Sequence, residues 1–211
     1  MSQKLTKDQI AQRVAQDITP GSYVNLGIGL PTLVSNYIEP NANIIFHTEN
    51  GMLGMGPEAH GDEVDDELIN AGKIPVTELP GAAYFHHADS FAMIRGGHID
   101  LCVLGAFQVS FAGDLANWHG GNPDDIPSVG GAMDLASGAV STYVIMTMFD
   151  KDGTPKLVPH CTAPLTAMQC VDRIYTEVAI FDIVDGDFTI VETFGVDAAQ
   201  LEAQIRNGQL S

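Results

Sequence analysis

Short apolar runs that alternate with helical patterns are the feature that most constrains the fold of this chain. Residues 23–26 form an apolar run typical of a buried strand, and the segment 27–29 follows it as a tight glycine turn. Pro31 then suits the first turn of a short helix. A second short strand is predicted at 43–48, and Glu49 stands at its end. A chain that repeats strands, turns and helices in this way is typical of an α/β fold with a largely parallel sheet.

The same alternation continues to the C-terminus. Thr6 is a suitable cap for a helix that carries Ile10, Val14 and Ile18 on one face. Further elements are predicted as a helix at 90–95, strands at 99–104, 140–148, 178–184 and 188–191, a turn at 185–187 and a closing helix at 198–206, with loops at 49–57 and 58–67. We therefore expect one domain over residues 1–211. Its mostly parallel central sheet should be flanked by helices and finished by a C-terminal hairpin and helix.

The charge balance argues against several classes of partner. The chain has 9 Lys plus Arg and 27 Asp plus Glu, so its net charge of −18 would repel a nucleic-acid backbone. No apolar run is long enough to span a bilayer, and no membrane contact is expected. The N-terminal residues lack the continuous apolar region of a secretory signal, which predicts a cytoplasmic location. A polyanionic ligand would need backbone amides, a few placed cations or another chain.

Residue types used by metal sites and by common nucleophiles are present without the spacing that such sites need. The seven histidines show no HExxH pattern, and no serine stands in a GxSxG motif. Cys102, Cys161 and Cys170 include no CxxC pair, so we expect reduced thiols and neither a disulfide framework nor a metal ion. Thr32 stands where a dinucleotide-binding GxGxxG motif needs its third glycine, which argues against a nicotinamide site.

Three glycine-containing segments remain as candidates for ligand contact, and each has a purely structural alternative. Gly27 and Gly29 offer either a close-packed turn or backbone amides for a ligand. Glu49 is either a solvated loop residue or a carboxylate at the ligand-binding edge of an α/β sheet. Gly130 and Gly131 open a predicted helix, where they form an ordinary helix start or present unpaired amides to an anion.

Taken together, these segments resemble the smaller subunit of the class I acid coenzyme A transferases over nearly the whole chain. The matching blocks are NLGIGLPT at 25–32, ENG at 49–51, LINAGK at 68–73, DSFAMIRGGH at 89–98, DLANW at 114–118 and GGAMDL at 130–135. The family's Ser-Glu-Asn-Gly motif stands here at 48–51 with Thr48 in the first position, so a hydroxyl is kept and the glutamate is intact. The resemblance implies the α/β fold that these transferases share with sugar-phosphate isomerases.

The resemblance also implies a role for each matching residue. Glu49 is the implied nucleophile, which attacks the donor thioester and then carries coenzyme A as a glutamyl thioester. The residues implied to bind the oxyanion or the coenzyme are Gly27, Gly29, Asn50, Gly51, Lys73, Gly130, Gly131 and Ala132. Lys73 could instead form only a surface salt bridge. Coenzyme A is then a substrate, no cofactor is bound permanently, and a larger alpha subunit completes the site in a hetero-oligomer.

Two departures from the family's pattern bear on the substrate. Ser128 replaces a glycine two places before the Gly-Gly pair, and residues 123–127 replace a basic segment. With the segments 85–87 and 118–119, this variant resembles the 3-oxoadipate transferases more than the acetoacetate enzymes. The implied reaction is ping-pong transfer of coenzyme A from succinyl-CoA to 3-oxoadipate. Acetoacetate as the acceptor and a non-catalytic ligand sensor of the same fold remain as alternatives.

Overall fold

The computed structural model describes residues 3–39, 41–121, 124 and 126–208. The helices in this part of the chain are α1 (Lys7–Asp17), α2 (His87–Arg95), α3 (Ala132–Gly138) and α4 (Ala198–Asn207), with 3-10 helices at Leu30–Tyr37 and Gly61–Glu63. The strands are β1 (Tyr23–Leu26), β2 (Ile45–Thr48), β3 (Met52–Glu58), β4 (Val76–Tyr84), β5 (Leu101–Gly105), β6 (Gln108–Ser110), β7 (Leu115–Ala116), β8 (Ser141–Ile145), β9 (Leu157–Val158), β10 (Arg173–Tyr175), β11 (Ala179–Val184) and β12 (Asp187–Thr193). Pro123 and Asp125, from the segment that replaces the family's basic residues, lie outside the described residues.

Within the described residues, nine strands form one mixed sheet in the order β12-β11-β10-β8-β5-β1-β2-β3-β4. Its centre, from β10 to β2, is parallel. Two strands on each side of this centre pair antiparallel. A smaller sheet has the order β7-β6-β9. The α/β class is confirmed, and so are the C-terminal hairpin of β11 and β12 and the closing helix α4.

The prediction of a mostly parallel sheet is confirmed only for its centre and is corrected at both edges, which pair antiparallel. The physical reason lies in the connections. A parallel pair needs a crossover of a dozen or more residues, whereas antiparallel neighbours can be joined by a tight turn. Only the turn that contains Glu49 separates β2 from β3, and Asp185 and Gly186, both with positive φ, separate β11 from β12. Connections this short require antiparallel pairing.

The predicted glycine-rich loop at 49–57 is also corrected, because most of it is strand β3. Its glycines allow β3 to approach β4 closely: a Cβ atom added at Gly54 would lie 3.1 Å from the Cα of Ala82. The pairing of β3 with β4 contains register shifts, and glycine inside a strand often marks such a bulge. The acidic segment that follows is exposed from residue 60 to residue 67, as predicted.

Helices cover the central sheet on both faces. Thr6 caps α1 in a reciprocal pair of hydrogen bonds with Gln9, which confirms the predicted helix start. Ile10 and Val14 of α1 belong to an apolar cluster on one face. Ile94 of α2 belongs, with residues of α3 and α4, to a second cluster on the other. Among the helices of the described residues, none has both the length and the apolar character needed to cross a membrane.

Candidate active site

Glu49 lies at the carboxyl end of β2, at the edge of the sheet where the parallel strands end. β2 ends at Thr48, and its parallel neighbour β1 ends at Leu26. The side chain of Glu49 is half-buried rather than solvated. Loops and helix starts converge on this edge in α/β sheets, and ligands bind there. The structure therefore places the candidate nucleophile where a ligand-binding residue of this fold is expected.

The second glycine segment meets the first at this carboxylate. The backbone N–H of Gly131 donates a hydrogen bond to the Glu49 carboxylate. A Cβ atom added at Gly131 would lie 2.7 Å from both the carboxyl carbon and Oε2 of Glu49. Gly131 caps α3, so the predicted helix start is present, and Ala132 is the first residue of that helix. Gly130 is exposed beside them. Glycine at position 131 thus gives the carboxylate room to contact the backbone.

Burial is the main influence on the acidity of Glu49. Partial removal from water raises the pKa of this carboxyl above its ordinary value, because desolvation disfavours the charged form. The hydrogen bond from Gly131 and the nearby His87 lower the pKa, whereas the negative charge of Asp134 raises it. A carboxylate with a raised pKa is more basic than an ordinary glutamate, which suits a group that must attack an acyl carbon.

One face of α2 forms a wall beside Glu49. His87 and Phe91 are one helical turn apart, and their ring centroids are 4.8 Å apart. A Cβ atom added at Gly131 would lie 2.8 Å from the Phe91 ring. Arg95, one turn further on, lies over the Phe91 ring at 5.5 Å and forms an ion pair with Asp134 at 2.7 Å. The motifs alone predicted no role for His87, Phe91 or Asp134. The available signals were the i, i+4 spacing of His87 and Phe91 on α2, the block at 89–98 for Phe91 and the block at 130–135 for Asp134.

Hydrogen bonds to Thr48 hold the turn that carries Glu49. The N–H of Gly51 donates to the carbonyl of Thr48 at 3.1 Å, and the N–H of Met52 donates to the Thr48 hydroxyl, also at 3.1 Å. The hydroxyl kept at position 48 therefore closes the turn. Asn50 Nδ2 donates to the carbonyl of Ile69 at 2.8 Å, so Asn50 ties the turn to the segment that contains Lys73. This contact gives Asn50 a structural use beside its predicted ligand contact.

Gly51→Ala should destabilise the protein by at least about 2 kcal/mol. Gly51 has φ +110°, which L-residues rarely adopt, and an added Cβ would collide with the carbonyl oxygen of Phe85. Urea unfolding of the purified chain measures the effect. Gly81→Ala is the matched control, because Gly81 also has positive φ but no atom within 4 Å of an added Cβ, so it should cost less. Equal unfolding midpoints for Gly51→Ala and the wild type would contradict the close contact with Phe85.

The remaining predicted residues differ in their burial, backbone conformation and hydrogen bonds. The N–H of Gly27 donates to the carbonyl of Val103 at 2.8 Å, and a Cβ there would lie 3.1 Å from the same oxygen. Gly27 is thus a close-packed turn position, which was the structural alternative. Gly29 is exposed, has φ +94° and caps the 3-10 helix that begins at Leu30. Lys73 is exposed at φ +63°, and no ion pair joins it to another described residue.

The cysteines and the possible metal ligands do not gather at this site. In the part of the chain that the structure describes, no group of three or more His, Cys, Asp or Glu side chains could hold a metal ion. Cys102 is buried and Cys161 and Cys170 are half-buried, and all three are free thiols. Burial raises the pKa of the Cys161 thiol to about 11, which keeps it protonated at neutral pH. Glu49 is therefore the best-placed nucleophile among the candidates.

Comparison with known families decides the classification. The family model described as coenzyme A transferase matches residues 7–193. The chain belongs to the coenzyme A transferase family. This membership covers β1 to β12 and therefore includes every element that positions Glu49. The resemblance drawn from the sequence blocks is thereby confirmed.

Relatives within the coenzyme A transferase family differ in length. A 3-oxoadipate CoA-transferase subunit from Acinetobacter baylyi is 58% identical over 189 residues, which cover 90% of this chain and 87% of that protein. Human succinyl-CoA:3-ketoacid coenzyme A transferase 2, mitochondrial, is 53% identical over 84% of this chain but only 34% of its own length. A solved acyl-CoA transferase from Escherichia coli O157:H7 has a TM-score of 0.73 at 17% identity, over 100% of this chain and 42% of its own.

Proposed function

We propose that this chain is the nucleophile-bearing subunit of a two-subunit enzyme that moves coenzyme A from succinyl-CoA to 3-oxoadipate. The half-buried Glu49 carboxylate, held by the Gly131 N–H at the strand ends, carries this proposal. Support for the substrate comes from the Acinetobacter baylyi relative at 58% identity, which is named for 3-oxoadipate. Coenzyme A is a substrate in this proposal, and no permanently bound cofactor takes part. We also propose that the enzyme acts in the cytoplasm.

In the first half-reaction, an oxygen of the Glu49 carboxylate attacks the thioester carbonyl of succinyl-CoA. The carbon–sulfur bond breaks, coenzyme A leaves as a thiolate, and a mixed anhydride of Glu49 and succinate remains. The thiolate then attacks the Glu49 carbonyl of the anhydride. Succinate leaves, and coenzyme A is held on Glu49 as a glutamyl thioester. A carboxylate replaces another carboxylate of similar energy, so these steps need neither ATP nor a metal ion.

The second half-reaction reverses these steps with a different acid. A carboxylate oxygen of 3-oxoadipate attacks the glutamyl thioester, the thiolate leaves, and a second mixed anhydride forms. The thiolate attacks the acyl carbon that came from the acceptor. 3-Oxoadipyl-CoA is released and the Glu49 carboxylate is regenerated, so the cycle is a ping-pong exchange in which the glutamyl thioester links the two half-reactions.

Gly131 is placed to assist the additions at the Glu49 carbonyl. Every attack on the Glu49 carbonyl creates negative charge on an oxygen that was a carboxylate oxygen in the resting enzyme, and the Gly131 N–H already donates to that carboxylate. One such backbone donor contributes about 3 kcal/mol to a transition state of this kind. The nucleophile Glu49 and the hydrogen-bond donor Gly131 are thus the minimum set of residues that could perform the exchange. The amide of Gly130 and the start of α3 at Ala132 lie beside them.

The phosphates of coenzyme A need more positive charge than this strongly acidic chain offers. Its four arginines are already paired with carboxylates of the same chain: Arg13 with Asp17, Arg95 with Asp134, Arg173 with Asp182 and Arg206 with Asp187. The remaining charge balance is strongly acidic. A larger alpha subunit that contributes basic residues to the phosphate site would resolve this imbalance.

The surface next to Glu49 supports a covering partner. Ile126, Val129 and Met133 flank Gly131 and are 91%, 82% and 58% exposed. Large apolar side chains that are exposed and close together in the chain are typical of an interaction surface. A partner chain docked over this surface would also exclude water, which would otherwise hydrolyse the anhydride and the thioester. The proposed active site is therefore completed at the contact between the two subunits.

The acceptor preference tests the substrate assignment. The assembled enzyme should show a kcat/KM for 3-oxoadipate at least about tenfold above that for acetoacetate, which corresponds to about 1.4 kcal/mol in transition-state binding. Steady-state assays with succinyl-CoA as the donor measure both values. The same assembly carrying Glu49→Gln corrects for uncatalysed exchange. A preference for acetoacetate would overturn the assignment of 3-oxoadipate and leave the reaction class standing.

A further inference from the structure

A chain of buried polar side chains lies directly beneath the turn that carries Glu49. Asn25 is 1%, His47 1% and Ser90 0% exposed. Asn25 lies on β1, His47 on β2 and Ser90 on α2, so the chain links two parallel strands to the helix packed on them. Most buried polar groups are hydrogen-bonded, and these three bond to one another, although Asn25 Oδ1 is buried without a partner among the described residues. They take no part in the exchange chemistry described above.

The direction of each hydrogen bond can be assigned from the chemistry of the partners. Asn25 Nδ2 lies 3.1 Å from the backbone carbonyl oxygen of His47, which can only accept, so the amide nitrogen of Asn25 must face it. The same nitrogen lies 2.9 Å from His47 Nδ1, which must therefore accept as well. His47 thus carries its proton on Nε2. That N–H donates to Ser90 Oγ at 3.1 Å.

The relay ends on the backbone of the catalytic turn. The hydroxyl of Ser90, having accepted from His47, donates its own proton to the carbonyl of Thr48 at 2.9 Å. This carbonyl and the N–H of Glu49 belong to the same peptide group. The Thr48 carbonyl also accepts from the N–H of Gly51. Two donors therefore fix one carbonyl, and Ser90 is the donor that ties it to α2.

Protonation of His47 would break the relay. A cationic imidazole would place a second proton on Nδ1, facing the Nδ2 donor of Asn25. Burial lowers the pKa of His47 from 6.5 to about 4, because the charged form loses its hydration, and a hydrogen bond with the backbone of Ser90 offsets only part of this. His47 is accordingly neutral at physiological pH. His87 and Asp134 influence the pKa of the Glu49 carboxyl, and neither belongs to this chain of buried side chains.

We propose that His47 and Ser90 are positioning residues that fix the peptide preceding Glu49, so that its carboxylate stays aligned with the Gly131 N–H during the exchange. This inference rests on the proposed function. The same α2 that supplies Ser90 supplies Phe91 to the wall beside Gly131. Ser90 therefore couples the strand that carries the nucleophile to the element that borders its oxyanion donor. Misplacement of reacting groups by about 1 Å can lower a rate on the order of 100-fold.

Variants at the two positions separate positioning from mere packing. Ser90→Ala removes the donor to Thr48. His47→Asn can still accept from Asn25 but cannot reach Ser90, whereas His47→Gln places an amide N–H near the position of Nε2. We expect Ser90→Ala and His47→Asn to slow glutamyl thioester formation about 100-fold, with the KM for succinyl-CoA changed less than about threefold. His47→Gln should slow glutamyl thioester formation less than about tenfold. Single-turnover release of succinate from succinyl-CoA on the assembled enzyme measures the rate.

The controls distinguish the possible failures. His60→Asn, at an exposed histidine whose side chain does not cap the following 3-10 helix, should leave the rate unchanged. Wild-type rates in folded Ser90→Ala and His47→Asn, or equal losses in His47→Gln and His47→Asn, would overturn the inference. Nitrogen NMR of the histidine side chains in the wild-type assembly is independent of activity and should show His47 protonated on Nε2 alone. A proton on Nδ1 would overturn the relay, whereas absence of any thioester in the wild type would instead overturn the proposed function.

Discussion

Glu49→Gln should abolish turnover of the assembled enzyme, with kcat lowered on the order of 10⁴-fold or more. The amide has nearly the shape of the carboxylate and its oxygen can still accept from the Gly131 N–H. It lacks the nucleophilic oxygen that must form the anhydride. The effect is therefore chemical and not a loss of binding. Steady-state transfer from succinyl-CoA to 3-oxoadipate, with Glu49→Ala as a second variant, measures it.

Stability provides the control for this variant. Burial raises the pKa of Glu49 in the folded chain, so the folded state binds the proton more tightly than the unfolded state does. Stability contributed by this group is therefore lost as pH rises above the ordinary value of 4.5. At neutral pH, Glu49→Gln should match or slightly exceed the wild type in thermal stability. A folded variant with substantial turnover would contradict the nucleophile assignment and would revive the alternative of a ligand sensor.

Gly131→Ala should lower kcat by about 100- to 1,000-fold. The added Cβ would lie 2.7 Å from the carboxyl carbon of Glu49 and 2.8 Å from the Phe91 ring, so the nucleophile would be pushed away from its hydrogen-bond donor. The backbone of Gly131, with φ −76° and ψ 1°, is acceptable for alanine. The loss should thus fall on activity more than on folding. Rates of thioester formation and thermal unfolding, measured on the same preparation, separate the two.

Ser137→Ala is the matched control for this prediction. Ser137 is exposed on α3, the helix that begins directly after Gly131, and its substitution should leave the rate and the unfolding temperature almost unchanged. A Gly131→Ala enzyme with wild-type kcat would show that the contact between the Glu49 carboxylate and the Gly131 backbone has no catalytic use. Loss of folding in Gly131→Ala would contradict the tolerance expected from its backbone angles.

Local sequence signals predicted the elements that position the nucleophile. The apolar run at 23–26, the Thr6 cap and the helix start at Gly131 each depend on residues close in sequence, and each is present in the structure. The position of Glu49 at a strand end followed from the same kind of signal. The antiparallel edge of β3 and β4 did not, because the glycines of β3 disguise a strand whose existence depends on pairing with β4.

Contacts between residues distant in the chain account for the rest of the site. Ser90 and Thr48 are 42 positions apart and Gly131 lies further still, so no window of sequence could show that they meet at Glu49. The family blocks identified the right segments without saying which atoms touch. Gly27 illustrates the limit: its motif suggested a ligand contact, but its N–H is bonded to Val103 of the neighbouring strand.

Covalent capture of the intermediate on Glu49 tests the central claim most directly. The assembled enzyme is treated with succinyl-CoA and then with borohydride, which reduces a glutamyl thioester to an alcohol, and the mass of the peptide that contains Glu49 is measured by mass spectrometry. The proposed mechanism predicts a reduced side chain at Glu49 in the wild type and an unmodified peptide when succinyl-CoA is omitted. An unmodified Glu49 in fully active, succinyl-CoA-treated enzyme would contradict it.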